Sequence, residues 1–104
     1  MAWSITEKGN RLVVAIDGRF VAAVAPAARE EFLGRMKEGM DVVFDLNNMV
    51  HIDSSGIGVL VQVLQKAKSL GGRVVLTGLQ EGPRLVFEIT KVNRVFDIVD
   101  KLDE

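Results

Sequence analysis

The sequence predicts an α/β fold, a mixed β-sheet of four to five strands with packed α-helices, in one domain spanning residues 1–104. Three observations carry that expectation. Val42 to Leu46 and Val74 to Gly78 are nearly continuous in apolar residues, as in parallel strands covered on both faces. Between them lies the strongest helical pattern in the chain. Near the N-terminus, two apolar runs flank a short polar stretch containing glycine, the pattern of an antiparallel hairpin.

Taken in order, Trp3 and Ile5 mark the first strand, Glu7 to Asn10 the turn and Leu12 to Ile16 the second strand, closed by Asp17-Gly18. Pro26 suits the first residue of a helix, where its missing N–H would be unpaired anyway, and Ala28, Phe32 and Met36 follow at four-residue spacing. Gly39 is the expected stop. After the strand at 42–46 comes a helix over 55–70, with Ile57, Leu60, Val61 and Leu64 on one stripe, Val59 and Val63 widening it, and Gly71-Gly72 ending it. The strand at 74–78 follows, then a third helix starting near Pro83 with Leu85, Val86 and Ile89 apolar. VFDIV, residues 95–99, reads as either a short strand or the first turn of a closing helix. Two strand-helix-strand units in this order place their strands parallel in one sheet.

A chain of 104 residues with 48% hydrophobic and 26% charged side chains fits a single domain that buries roughly two-thirds of its unfolded surface. Its formal net charge of -1 offers no broad basic field, so no nucleic-acid partner and no binding to anionic lipid by bulk charge are expected. With no cysteine there is neither a disulfide framework nor a thiolate metal site. The N-terminal stretch lacks the apolar centre of a signal peptide, and no apolar run approaches the ~20 residues that cross a bilayer. The expectation is a cytoplasmic domain without membrane insertion. Arg29, Glu30, Glu31, Arg35, Lys37 and Glu38 read as a solvated helix face, Phe87 and Phe96 as core. Trp3 suits either the core or a sheet edge.

The stretch HIDSSGIG, residues 51–58, sets an acid, two hydroxyls and two glycines where a strand gives way to a helix. Capping alone could explain it, since Asp and Ser side chains accept hydrogen bonds from the unpaired N–H groups of a first helical turn. Nucleophilic catalysis fits poorly. His51, Asp53 and Ser55 crowd into five positions, the Gly-x-Ser-x-Gly elbow is absent, and the chain has one histidine, which reads as a strand-end residue with an edge in water. A phosphate-cradling loop would need a lysine where Val59 stands, so no nucleotide cofactor is expected. Asp53 and Asp45 are the only nearby carboxylates and Asp45 lies within a strand, so no metal is expected either. What remains is a hydroxyl held above the sheet at a helix start, open to modification by a kinase. A phosphate there would add about -1.5 to -2 charge beside Asp53.

DLNNMVHIDSSGIGVLV, residues 45–61, resembles the signature of the STAS domain of bacterial anti-sigma factor antagonists. Weaker similarity extends over nearly the whole chain: RLVVAIDGRF resembles the family's second strand and its glycine, GGRVVLTGL its fourth strand, and RLVFEITKVNRVFDI its third helix and closing segment. The resemblance implies a non-enzymatic, phosphorylation-controlled binding module that acts by partner switching. The unphosphorylated form captures a serine-kinase anti-sigma factor and frees a sigma factor for transcription. The kinase then phosphorylates the second serine, and a serine phosphatase resets it. Carried over, Ser55 is the phosphoacceptor, Asp53, Ser54 and Gly56 shape the loop that the kinase grips, and Ile57 with the exposed side of its helix extends the contact. ATP and its metal belong to the kinase. The alternative is a STAS subunit of a lipid-transport ATPase or sensory complex in which the serine is silent.

Two places depart from the family pattern. Where relatives commonly carry an acidic residue after the second-strand glycine and an Asp two positions on, this chain has Arg19 and Val21, in a loop that the resemblance sets near the phosphorylation loop. The sequence also ends at Glu104, where many relatives continue into a longer last helix.

Overall fold

The polar stretch at residues 7–10 does close a hairpin. In the structure, a computed structural model that describes residues 2–100, Trp3–Lys8 (β1) pairs antiparallel with Arg11–Ile16 (β2), from Trp3 opposite Ile16 to Lys8 opposite Arg11. Gly9 turns the chain at φ +57°, a left-handed conformation that any side chain would strain. Gly18–Phe20 (β3) follows directly. Ala25–Arg35 (α1) then carries Pro26 in its first turn, and Ala28 and Phe32 are buried along its inner face. The helix ends four residues before the expected stop at Gly39, because Met36 turns to extended backbone and is buried just past the end, while Gly39 makes a separate turn at φ +70°.

Asp41–Asp45 (β4), Met49–Ile52 (β5), Ser54–Ser69 (α2), Val74–Thr77 (β6) and Glu81–Ile89 (α3) come next. A one-turn 3₁₀ helix, Val92–Arg94, precedes VFDIV, and within that undecided segment the strand alternative forms, as Asp97–Val99 (β7). The main sheet has the order β1-β2-β4-β6-β7, with every pair after the hairpin parallel. Each helix therefore bridges two adjacent parallel strands, three such units where the sequence suggested two. The mixed sheet with three packed helices is the fold the sequence predicts. The comparison of last helices falls at residues 101–104, outside the described residues.

Leu12, Val14 and Ile16 on β2, Val42 and Phe44 on β4 and Val74 and Leu76 on β6 point into one core with the buried faces of the helices. Phe32 is its hub. Trp3 meets it edge-on at 5.6 Å, Phe20 stacks at 6.2 Å and Phe44 lies tilted at 5.7 Å. Trp3 is half-buried at the edge of this cluster and its indole N–H donates to the Glu31 carboxylate at 2.9 Å, so one residue is both core and edge. Phe87 and Phe96 are buried and 6.1 Å apart.

The other face of the sheet behaves differently. Val43 is 4% exposed yet stands outside that core, flanked by half-buried Val13 and Val75 above a shallow hollow of about 810 Å³. Continuous apolar strands thus serve a sheet with one deep face and one shallow one.

Sequence periodicity missed a second element. β3 and β5 form a separate two-stranded parallel sheet, with Arg19 opposite His51 and Phe20 opposite Ile52. Strands of three and four residues are too short to show an alternation, and they matter because β5 runs straight into the serines.

Candidate functional site

α2 starts where it does because Asp53 caps it. The residue sits in extended backbone at φ -119° and ψ -174°, and its Oδ1 accepts a hydrogen bond from the Gly56 N–H at 3.0 Å. Its second oxygen is also occupied: Oδ2 accepts from the Ala22 N–H at 3.0 Å. One carboxylate therefore ties the first turn of α2 to the loop between β3 and α1. The Gly56 N–H above all, and those of Ala22 and Ser55 with it, hold the Asp53 carboxyl below its ordinary pKa, while burial opposes them.

Ser54 and Ser55 occupy the first two helical positions and both are exposed. By position the positive end of the helix dipole lies at this spot, with the Gly56 N–H paired to Asp53 Oδ1 and the Ser55 N–H also acting on that carboxylate. The local frame is stiff. A methyl group placed at Gly56 would collide with the Phe20 carbonyl oxygen and approach Ile52 Cγ1 and the Phe20 ring to 2.8 and 2.9 Å, so only glycine lets α2 press against the β3–β5 ribbon. Gly58 is different. A methyl there would meet nothing within 4 Å, although glycine inside a helix costs about 1 kcal/mol relative to alanine.

The structure thus gathers Asp53, Ser54, Ser55 and Gly56 in one turn and separates Ile57 from them. Ile57 is only 6% exposed and packs into the core, so what it contributes is the seating of the first turn rather than an open surface. On the helical stripe, Leu60, Val63 and Leu64 are buried, and Val61 is half-buried. His51 is exposed on β5, and the Asp53 oxygens are engaged by backbone N–H groups, so His51, Asp53 and Ser55 do not assemble as a base-nucleophile relay. In the hollow on the far face, Asp41 and Asp45 each accept a backbone N–H, from Arg73 at 3.2 Å and Asn47 at 3.1 Å.

The backbone of the β3–α1 loop is the part of the site that sequence reasoning left out. The Phe20 carbonyl and Ala22 N–H act through main-chain atoms and leave no residue signature. Arg19 is exposed opposite His51, and Val21 is half-buried, its carbonyl accepting from the Val24 and Ala25 N–H groups at 2.9 and 3.1 Å. The two positions that depart from the family pattern therefore do lie beside the serine loop. Among the described residues no helix is long and apolar enough to cross a membrane.

Comparison with known proteins places this site in context. The STAS domain model matches residues 2–104. An anti-sigma-B factor antagonist of Bacillus subtilis is 30% identical over 97 residues, which is 93% of this chain and 89% of that protein. A STAS-domain anti-sigma-factor antagonist from Planctomyces limnophilus has a solved structure that superimposes with a TM-score of 0.86 at 18% identity, covering 96% of this chain and 91% of the other. The Bacillus cell-fate determinant SpoIIAA in its phosphorylated form matches with a TM-score of 0.72 at 15% identity, covering 96% and 93%.

Proposed function

From the premise that this chain belongs to the STAS domain family, we propose that it is an anti-sigma factor antagonist whose docking is switched by phosphorylation of Ser55. Its direct target is an anti-sigma factor, as the name of the Bacillus subtilis relative indicates for that protein. The finer reading makes that target a serine kinase, opposed by a serine phosphatase, and makes this chain a binding module rather than an enzyme. The observation that carries it is the first turn of α2: an exposed Ser55 hydroxyl at a helix N-terminus, on a frame fixed by the Asp53 carboxylate and by Gly56.

In the reaction the Ser55 oxygen attacks the γ-phosphorus of ATP held by the kinase. The new O–P bond forms as the bond to the β,γ-bridging oxygen breaks, ADP leaves, and the serine proton passes to a base on the kinase. Asp53 is not that base, since its two oxygens are committed to backbone donors and its pKa is lowered. The phosphate adds about -1.5 to -2 charge next to an existing carboxylate. The helix N-terminus favours it by roughly 0.3–1 kcal/mol at an exposed site, so folding is spared. A docked surface with acidic or apolar groups facing it loses several kcal/mol.

Incubating the purified chain with ATP and candidate serine kinases of the same genome, followed by peptide mass spectrometry, tests this reading. One phosphate on Ser55, absent in Ser55→Ala, is expected. A dominant phosphate on Ser54, or labelling that survives Ser55→Ala, rejects the assignment. No phosphorylation by any candidate kinase, together with stable association with a lipid-transport ATPase or a sensory complex, would favour the silent-serine role instead.

A further inference from the structure

We infer that a second copy of this chain pairs with the free edge of β1 about a two-fold axis through the sheet, joining two five-stranded sheets into one. β1 ends the main sheet with no partner on its outer side among the described residues. Proline, a bulge or charge spread along the strand normally blunts such an edge, whereas β1 pairs in unbroken register and carries both its charges, Glu7 and Lys8, at one end. The edge is open to another strand.

The ladder shows which backbone groups are on offer. The Asp17 N–H donates to the Ala2 carbonyl at 2.7 Å, so Ala2 turns toward the β2 side, and by the alternation of an antiparallel pair Ser4, Thr6 and Lys8 do the same. Trp3, Ile5 and Glu7 therefore point their N–H and C=O groups outward. A copy rotated about an axis perpendicular to the sheet runs antiparallel, and with Ile5 opposite its own copy every outward residue meets another, Trp3 facing Glu7 on either side. Each of these pairs exchanges two hydrogen bonds. A shift of one residue would set outward groups against inward ones, centring the axis on Glu7 would bring two carboxylates together, and centring it on Trp3 would leave half of β1 unpaired.

The side chains fit the same register. On the open face, Ser4 comes opposite the partner's Thr6 on both sides of the axis. On the helix-covered face, Glu31 lies at the Trp3 end, bound by the indole at 2.9 Å, while Arg35 and Lys37 lie at the other end, 3.9 and 3.3 Å from the Glu7 carboxylate. Rotation exchanges the ends, so the acidic end of one copy meets the basic end of the next. There is also room for it. Arg29 and Leu33 hold one flank of α1 to α2, and the opposite flank borders a hollow of about 580 Å³ lined by Trp3 and by small residues of α1, Ala27 and Gly34. No group in this pairing belongs to α2 or to the loop at Ala22, so both Ser55 turns stay open and the inference stands apart from the Ser55 reading.

Sedimentation equilibrium and amide hydrogen exchange on the intact chain, from micromolar to millimolar concentration, test it. The mass should rise toward twice the 11.4 kDa of one chain. As it does, the amides of Trp3, Ile5 and Glu7 should become protected, while those of Ser4, Thr6 and Lys8 are protected throughout. Two double variants supply the second arm, at positions exposed in the single chain. Ser4→Lys with Thr6→Lys sets like charges opposite each other where facing side chains are closest, and it should associate about tenfold more weakly than Ser4→Lys with Thr6→Glu, which sets opposite charges there. A single-chain mass at millimolar concentration overturns the inference. So does a dimer whose Trp3, Ile5 and Glu7 amides stay unprotected, or equal association of the two variants. Protection of those amides only when an anti-sigma factor is added would assign the edge to that protein and overturn it as well.

Discussion

The two ends of α2 are sealed alike and finished differently. At each end a glycine lets the backbone press against a carbonyl, Gly56 on Phe20 and Gly72 on Met40. At the C-terminal end the main chain completes itself. Gly71 turns left-handed at φ +79°, the Gly72 N–H donates to the Ala67 carbonyl at 2.8 Å and the Gly71 N–H to that of Lys68 at 3.2 Å, the paired bonds of a Schellman ending. Lys66 adds its ammonium to the Leu33 carbonyl, and positive charge suits that pole of the dipole. The N-terminal end is completed by one side chain, Asp53, and leaves two hydroxyls facing solvent. One end is architecture throughout. The other is a rigid mount for two exposed hydroxyls, at a helix pole whose positive sign favours added negative charge.

The largest effects should come from the shared feature. Gly72→Ala and Gly56→Ala each force backbone apart, so each should lower unfolding free energy by about 1–3 kcal/mol in a denaturant titration. If either is neutral, that end is softer than its contacts indicate. Next, Asp53→Ala removes a helix cap and the tie to Ala22 together and should cost about 1–2 kcal/mol. Asp53→Asn keeps one acceptor oxygen, turns an amide donor toward the second N–H, and should fall between alanine and wild type.

Acid should separate the ends further. Because the folded-state pKa of Asp53 is lowered, its contribution is whole above the unfolded aspartate value near 4 and fades as pH falls through the lower folded value. The stability difference between wild type and Asp53→Asn should therefore narrow below about pH 4. A gap that stays constant down to pH 2 would mean that the charge of the carboxylate contributes nothing. At the other end, Lys66→Met loses one hydrogen bond from a flexible, partly solvated group and should cost at most about 1 kcal/mol. Ser55→Asp should move the thermal midpoint least of all, since a single negative charge is favourable at that pole, while it weakens anti-sigma factor binding.

Much of this contrast was visible in the chain of letters, and the reasons are local. Gly71-Gly72 after a run of apolar helix spacing announces a helix end, and Asp-Ser-Ser-Gly after a strand announces a helix start, because both devices act between near neighbours in sequence. What escaped notice depends on distant partners. β3 and β5 define each other only when paired, and the Ala22–Asp53 bond joins positions 31 residues apart through a backbone donor. The third helix shows the same limit: Leu85 and Ile89 look like core, yet they are 56% and 70% exposed while Pro83 and Phe87 are buried. In nine residues, two apolar stripes compete, and only the packing surface chooses between them. Ile57 was placed at the rim of the contact by the family resemblance alone, whereas its position on the apolar stripe of α2 agrees with its burial.

The central claim is that phosphate on Ser55 alters a surface and leaves its mount in place. Amide hydrogen exchange, compared residue by residue between the unphosphorylated chain and the chain phosphorylated on Ser55, tests it most directly. Changes should be confined to the first turn of α2, residues 53–58, and the adjoining loop at 20–24, with β2, β4 and β6 protected equally in both forms. Loss of protection spreading through those three strands would show a conformational switch and contradict the account.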